Sequence, residues 1–97
     1  MAKLALYAAL KAKPGKEAAV EAFLKQGAVM AKDEKGTISW FAFKEDGGGY
    51  GVFDTFNDEA GRDAHLNGAI AKALMASAEE LFSEPPAIHK IELIAEK

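Results

Sequence analysis

The chain has no cysteine. That removes disulfide frameworks, thiolate nucleophiles and thiolate metal sites together. Positive charge is not in excess: 12 basic residues stand against 15 acidic ones, with a sequence pI near 5.3. A nucleic-acid partner is therefore not expected, since phosphate binding needs a basic stripe. No apolar run approaches the ~20 residues that span a bilayer. The longest near the start, Leu4 to Leu10, is followed at once by Lys11 and Lys13. It reads as a first strand rather than a signal peptide. Only two histidines occur, and neither belongs to a ligand motif such as H-x-x-x-H or H-x-E, so no metal site is expected. Gly47–Gly51 has the glycines of a phosphate loop but not its trailing Lys-Ser/Thr. Ninety-seven residues fit one domain, residues 1–97, with the cytoplasm as its default location.

What is present is a succession of clear elements. Lys3 to Ala12 reads as a strand closed by the Pro14-Gly15 turn. From Lys16 to about Lys32, Val20, Phe23, Leu24, Gly27 and Ala31 recur on one helical face. Thr37 to Lys44 and Tyr50 to Phe56 are rich in β-branched and aromatic residues, and the turn EDGGG between them predicts a hairpin. Asn57-Asp58 then supplies a helix cap, and Glu59 favours the first turn. That helix carries Arg62 and His65 and breaks near Asn67-Gly68. A second helix runs to Phe82, and Pro85-Pro86 stop it. Ala87 to Ala95 is the last strand. The order β-α-β-β-α-α-β predicts an α+β, ferredoxin-like plan: an antiparallel four-stranded sheet with its helices on one face.

The strands do not alternate apolar with polar. Leu4, Leu6, Ala8 and Leu10 oppose Ala5, Tyr7 and Ala9. Trp40 and Ala42 oppose Phe41 and Phe43, and Tyr50, Val52 and Phe56 oppose Phe53. Helices cover only one side of a sheet. The other side predicts a partner, most simply a second copy related by a two-fold axis.

His65 is the residue best suited to acid–base chemistry near neutrality, though a structural histidine at a helix break is the plainer alternative. His89, beside Lys90, reads as a surface residue. The aromatics of the two central strands pack a core, and with Trp40, Tyr50 and His65 as hydrogen-bond donors they also suit a flat apolar pocket. Arg62 has Asp58 and Glu59 within reach along its helix and suits an ordinary surface ion pair.

The order of elements, with GTISWFAF, YGVFDTFNDEAGRDAHLNGAIAKAL and PPAIHKIELIAEK, resembles the antibiotic biosynthesis monooxygenases of the dimeric α/β barrel superfamily. The resemblance runs from Lys3 to the C-terminus. Its most specific parts are the Gly36-Thr-Ile-Ser-Trp40 strand opening and Gly61-Arg62-x-x-His65 following Phe53 and Phe56. It implies a homodimer with sheets packed face to face and a pocket in each subunit between sheet and helices. It implies oxidation of an electron-rich phenol, quinol or polyketide-like aromatic by O2 to a quinone, with no metal or flavin cofactor. His65 would be the catalytic base, with Trp40, Tyr50, Phe53 and Arg62 around the substrate. The family's haem-degrading branch uses a first-strand asparagine. Leu, Ala and Tyr occupy the centre of that strand here, which argues against haem. A non-catalytic carrier or sensor dimer of the same fold is the alternative reading.

Overall fold

The computed structural model describes residues 2–97. Its elements are β1 (Leu4–Leu10), α1 (Glu17–Ala31), β2 (Thr37–Lys44), β3 (Tyr50–Phe56), α2 (Glu59–Leu66), α3 (Ala69–Leu81) and β4 (Ala87–Glu92). The strands form one sheet in the order β2-β3-β1-β4, with every neighbouring pair antiparallel. The fold is ferredoxin-like α+β with the helices on one face. Among the described residues no helix is long and apolar enough to cross a membrane.

Local signals explain the element ends. Asp58 caps α2, its side chain accepting from the Gly61 N–H at 2.8 Å and filling one of the donors a helix start leaves open. Gly15 and Gly48 adopt positive φ in the two turns where the pattern placed glycine. The last strand stops at Glu92, short of the expected Ala95, because Glu92 pairs with Leu4, the first residue of β1. One further bond, from the Leu93 N–H to the Lys3 carbonyl, follows, and Ile94 is 94% exposed.

The main core lies between sheet and helices. Leu10, Tyr50, Val20, Leu24, Leu81 and Phe82 are buried against one another there. The buried residues of α1 are Val20, Leu24 and Gly27, all from the expected stripe. The opposite sheet face has no helical cover. Tyr7 stacks on Phe43 with ring centroids 6.2 Å apart, and on His89 at 5.6 Å. Phe53 lies between Tyr7 and Phe41 in register, and Phe41 is 59% exposed.

Two glycines set how close α2 comes to the sheet. A Cβ on Gly61 would lie 3.0 Å from the Gly36 carbonyl oxygen, and one on Gly36 would lie 3.0 Å from Gly61 Cα. Both obstacles are backbone and cannot swing aside. Helix propensity favours Ala over Gly by about 1 kcal/mol, but overpacking costs about 1–3 kcal/mol. Gly61→Ala is therefore expected to lower Tm rather than raise it, and a calorimetric scan distinguishes the two.

Candidate functional site

The site is built where α2 and the loop after α1 meet the helix-facing side of β3. Along β3 the residues turned toward the helices are Tyr50, Val52, Asp54 and Phe56. Three are core residues, and the fourth is a carboxylate, 1% exposed. A buried charge is tolerated only when paired and hydrogen-bonded. Its partner is His65: Nε2 lies 2.8 Å from Asp54 Oδ2. The other ring nitrogen, Nδ1, lies 2.5 Å from Glu34 Oε1, in the loop between α1 and β2. The His65 ring also rests on Phe56, centroids 5.4 Å apart and tilted by 45°.

Local structure fixes both partners. Glu34 also accepts from the Thr37 hydroxyl at 2.9 Å, and its own carbonyl accepts from the Thr37 N–H. The helix break at Gly68 leaves it room. A Cβ there would sit 3.0 Å from Glu34 Oε2, so the bare glycine allows the carboxylate to reach His65.

Burial alone would drive the His65 pKa down. The hydrogen bonds to Asp54 and Glu34, with the charges of both, more than reverse this and hold it above its ordinary 6.5. The shift is toward the imidazolium, in which both ring N–H groups donate, to Asp54 and Glu34, and neither nitrogen has a lone pair free for a substrate proton. The unused acceptor lies on the neighbouring carboxylate: Asp54 Oδ1 is buried and has no hydrogen-bond partner among the described residues.

Across the strand pair, Trp40 is the direct register partner of Asp54. Its indole Nε1 is likewise buried and unpartnered. An acceptor and a donor thus stand on adjacent strands, where paired side chains lie about 5 Å apart at Cβ. Both residues line a cavity of about 50 Å³ roofed by Leu66, Ile70 and Leu74 from the two later helices. Asp54 Oδ1 and Trp40 Nε1 are two of three buried side-chain polar atoms without a partner among the described residues, the third being Arg62 Nε. A hydroxyl can accept from an indole N–H and donate to a carboxylate at once.

The remaining candidates are dispersed. Tyr50 is on the correct face but about 13 Å along the strand from Asp54. Its hydroxyl donates to Glu21 Oε2 at 2.5 Å, which pushes its pKa up to about 12. Phe53 faces the opposite, uncovered side of the sheet, because neighbouring strand residues point to opposite faces. Arg62 makes neither the expected ion pair with Asp58 or Glu59 nor a cavity contact. It is 8% exposed, and its Nη1 donates to the backbone carbonyls of Ile91 at 3.3 Å and Ala5 at 3.5 Å, pinning α2 to β1 and β4. Asp54 and Glu34, which complete the site, were not singled out from the sequence. The signal for Asp54 was present, as the one charge among the core-facing positions of its strand. Glu34 gave none, since a polar loop such as Lys32-Asp-Glu-Lys-Gly36 ordinarily faces water.

An antiparallel sheet under a broken helix pair, with an Asp54–His65–Glu34 cluster at the break, defines a small pocketed α+β protein. Its sequence matches the antibiotic biosynthesis monooxygenase family over residues 4–77. The chain belongs to that family. Among solved structures, a protein of unknown function from Nitrosomonas europaea is 57% identical, with a TM-score of 0.95, covering 100% of this chain and 94% of that one. A Mycobacterium tuberculosis protein shares 22% identity at a TM-score of 0.86, covering 96% of each chain. A Caulobacter crescentus protein described as a candidate antibiotic biosynthesis monooxygenase shares 21% identity at 0.81, covering 97% of this chain and 92% of that one. The last two likenesses speak to the fold alone. No curated protein matches the sequence.

Proposed function

We propose that the protein is a cofactor-independent monooxygenase that oxidises an electron-rich phenol or quinol with O2 to a quinone. The observation that carries this reading is the unpartnered Asp54 Oδ1 beside the unpartnered Trp40 Nε1, on one cavity wall, with His65 and Glu34 behind the carboxylate. The substrate hydroxyl donates to Asp54 and accepts from Trp40. His65 is a positioning and charge-balancing residue: its imidazolium between two carboxylates leaves the cluster one proton short of neutral.

A phenol is a weak acid, but once it loses an electron its hydroxyl becomes strongly acidic. A carboxylate therefore suffices as base when the two transfers are coupled. The hydroxyl proton passes to Asp54 as one electron passes to O2, leaving an aryloxyl radical and superoxide. Their recombination forms a C–O bond at the ring carbon para to the hydroxyl. The peroxide, across the ring from Asp54, is protonated by water, and Asp54 releases its proton to water in exchange. The para hydrogen then leaves as a proton while the O–O bond breaks, and the departing hydroxide takes that proton. One oxygen atom ends in the new carbonyl and the other in water, so the phenol loses four electrons and O2 gains four. The substrate's own π system does the work a redox cofactor usually carries. The protein supplies orientation and proton transfer.

Oxygen uptake above the spontaneous rate is the expected result with anthrone, whose enol has the para hydrogen these steps need, and with menadiol, which has a hydroxyl there and gives its quinone and H2O2 by two-electron transfer to O2. A ligand-raised Tm without any oxygen uptake would turn the reading to a carrier or sensor.

The same reading includes a homodimer through the uncovered sheet face, where Tyr7, Phe41, Phe43 and Phe53 form a continuous aromatic surface. Apolar patches of this kind on a lone subunit favour self-association. Sedimentation at micromolar concentration should give twice the chain mass, and Phe41→Lys should halve it. A wild-type protein that sediments as a monomer would remove the dimer from the proposal.

A further inference from the structure

Two spaces meet at one side chain. The inner one is the cavity of about 50 Å³ beneath α2 and α3. The outer one is an open groove of about 410 Å³ between α1 and the edge of β2, lined by Tyr50, Glu21 and Lys44 and also by Phe41 and Phe43 of the face assigned above to the dimer, so that a partner subunit would border it. Trp40 and Leu24 line both. The indole is therefore part of the wall between them. Gly27 of α1 gives it room: a Cβ there would lie 3.0 Å from Trp40 Cη2 and 3.1 Å from Cζ2.

The volumes divide the labour. Ligand pockets typically run from ~300 to ~1,000 Å³. The groove falls in that range and the inner cavity does not, being roomy enough for only a few water-sized occupants. A ring system, with O2 at its para carbon, has space in the groove, whereas beside Asp54 there is space for the hydroxyl group alone.

We propose that Trp40, seated on Gly27, is the specificity-determining residue: it holds a flat two- or three-ring phenol in the groove and admits only its hydroxyl edge to Asp54. This rests on the oxidative reading above for its chemistry, but not for its geometry. The groove selects substrates by the width that passes the indole. Shortening the wall joins the two spaces and relaxes that selection. Hydrophobic walls discriminate by about 10–200-fold for small changes in shape, so the expected shift is readable.

The test compares kcat/KM for 2,6-dimethoxyphenol, one ring with a free para position, with that for anthrone, three fused rings, in wild type, Trp40→Phe and Trp40→Ala. The ratio of anthrone to 2,6-dimethoxyphenol should rise by tenfold or more in at least one variant. A ratio unchanged in both, with the far-ultraviolet dichroism of wild type retained, overturns the proposal. Trp40→Phe keeps an aromatic wall and guards against a failure to fold. A second readout does not depend on turnover. Trp40 is the sole tryptophan, so menadione bound in the groove should quench its emission saturably, and Gly27→Ala, which displaces the indole, should weaken that binding tenfold or more. Saturable quenching weakened by Gly27→Ala, with no oxygen uptake on any substrate, leaves the groove assignment standing and removes the oxidation. Absence of quenching removes the groove assignment even if oxygen is consumed.

Discussion

Asp54→Asn is expected to cut oxygen uptake on a working phenol by roughly 10²–10⁴, the range general-base catalysis ordinarily contributes. The change is close to isosteric, and the amide oxygen can still accept from His65 Nε2, which lies 2.8 Å from the carboxylate in the native site. What is lost is the proton acceptor. The amide nitrogen brings two donors to a place where the indole Nε1, itself a donor, has no partner. A substrate hydroxyl then meets donors on both sides and nothing that takes its proton. A concurrent signature separates this from a general loosening of the fold. The raised pKa of His65 depends on hydrogen bonds and charge from both Asp54 and Glu34. With one charge gone it should fall, and the His65 ring resonances followed by NMR should titrate at lower pH. Turnover within threefold of wild type, with that titration shift observed, would remove Asp54 from the role of base.

Much of the architecture could be read from residue order because each signal was local. The 3.6-residue stripe of α1, the EDGGG turn, the Asp58 cap and the Pro85-Pro86 stop each act within a few residues of where they stand. The site depends on distant pairings. His65 meets Glu34, 31 positions away in the chain, because Gly36 and Gly61 let α2 lie directly against the start of β2. Nothing in a polar loop reports such a meeting. Arg62 shows the converse. Its nearest carboxylates in sequence suggested a surface pair, yet tertiary packing buries it against two carbonyls whose strands lie far off in the chain. Phe53 was a matter of parity. A strand apolar on both faces offers no polarity contrast, but alternation from Val52 and Asp54 already places Phe53 on the other side from Trp40.

His65→Ala should be the most damaging single substitution for stability. It removes the only cation between Asp54 and Glu34, whose side chains are 2% and 19% exposed. Breaking a buried ion pair from one side costs about 3–5 kcal/mol, because the remaining charge is stranded. For a chain of this size that lowers Tm by upwards of ~12 °C. The pH dependence follows from the raised pKa. The folded protein holds the His65 proton more tightly than the unfolded chain does, so this contribution is complete below the unfolded value of 6.5. It fades as pH rises through the higher folded value. Wild-type Tm should therefore decline above pH 6.5 through a step that His65→Ala lacks. A double variant decides whether stranded charge or lost packing dominates. Removing both the imidazole and the Asp54 carboxylate enlarges the void but eliminates the uncompensated anion. If charge dominates, His65→Ala with Asp54→Ala unfolds at a higher temperature than His65→Ala alone. If the double variant is the less stable of the two, the cluster is held chiefly by packing, and the electrostatic account of the site fails with it.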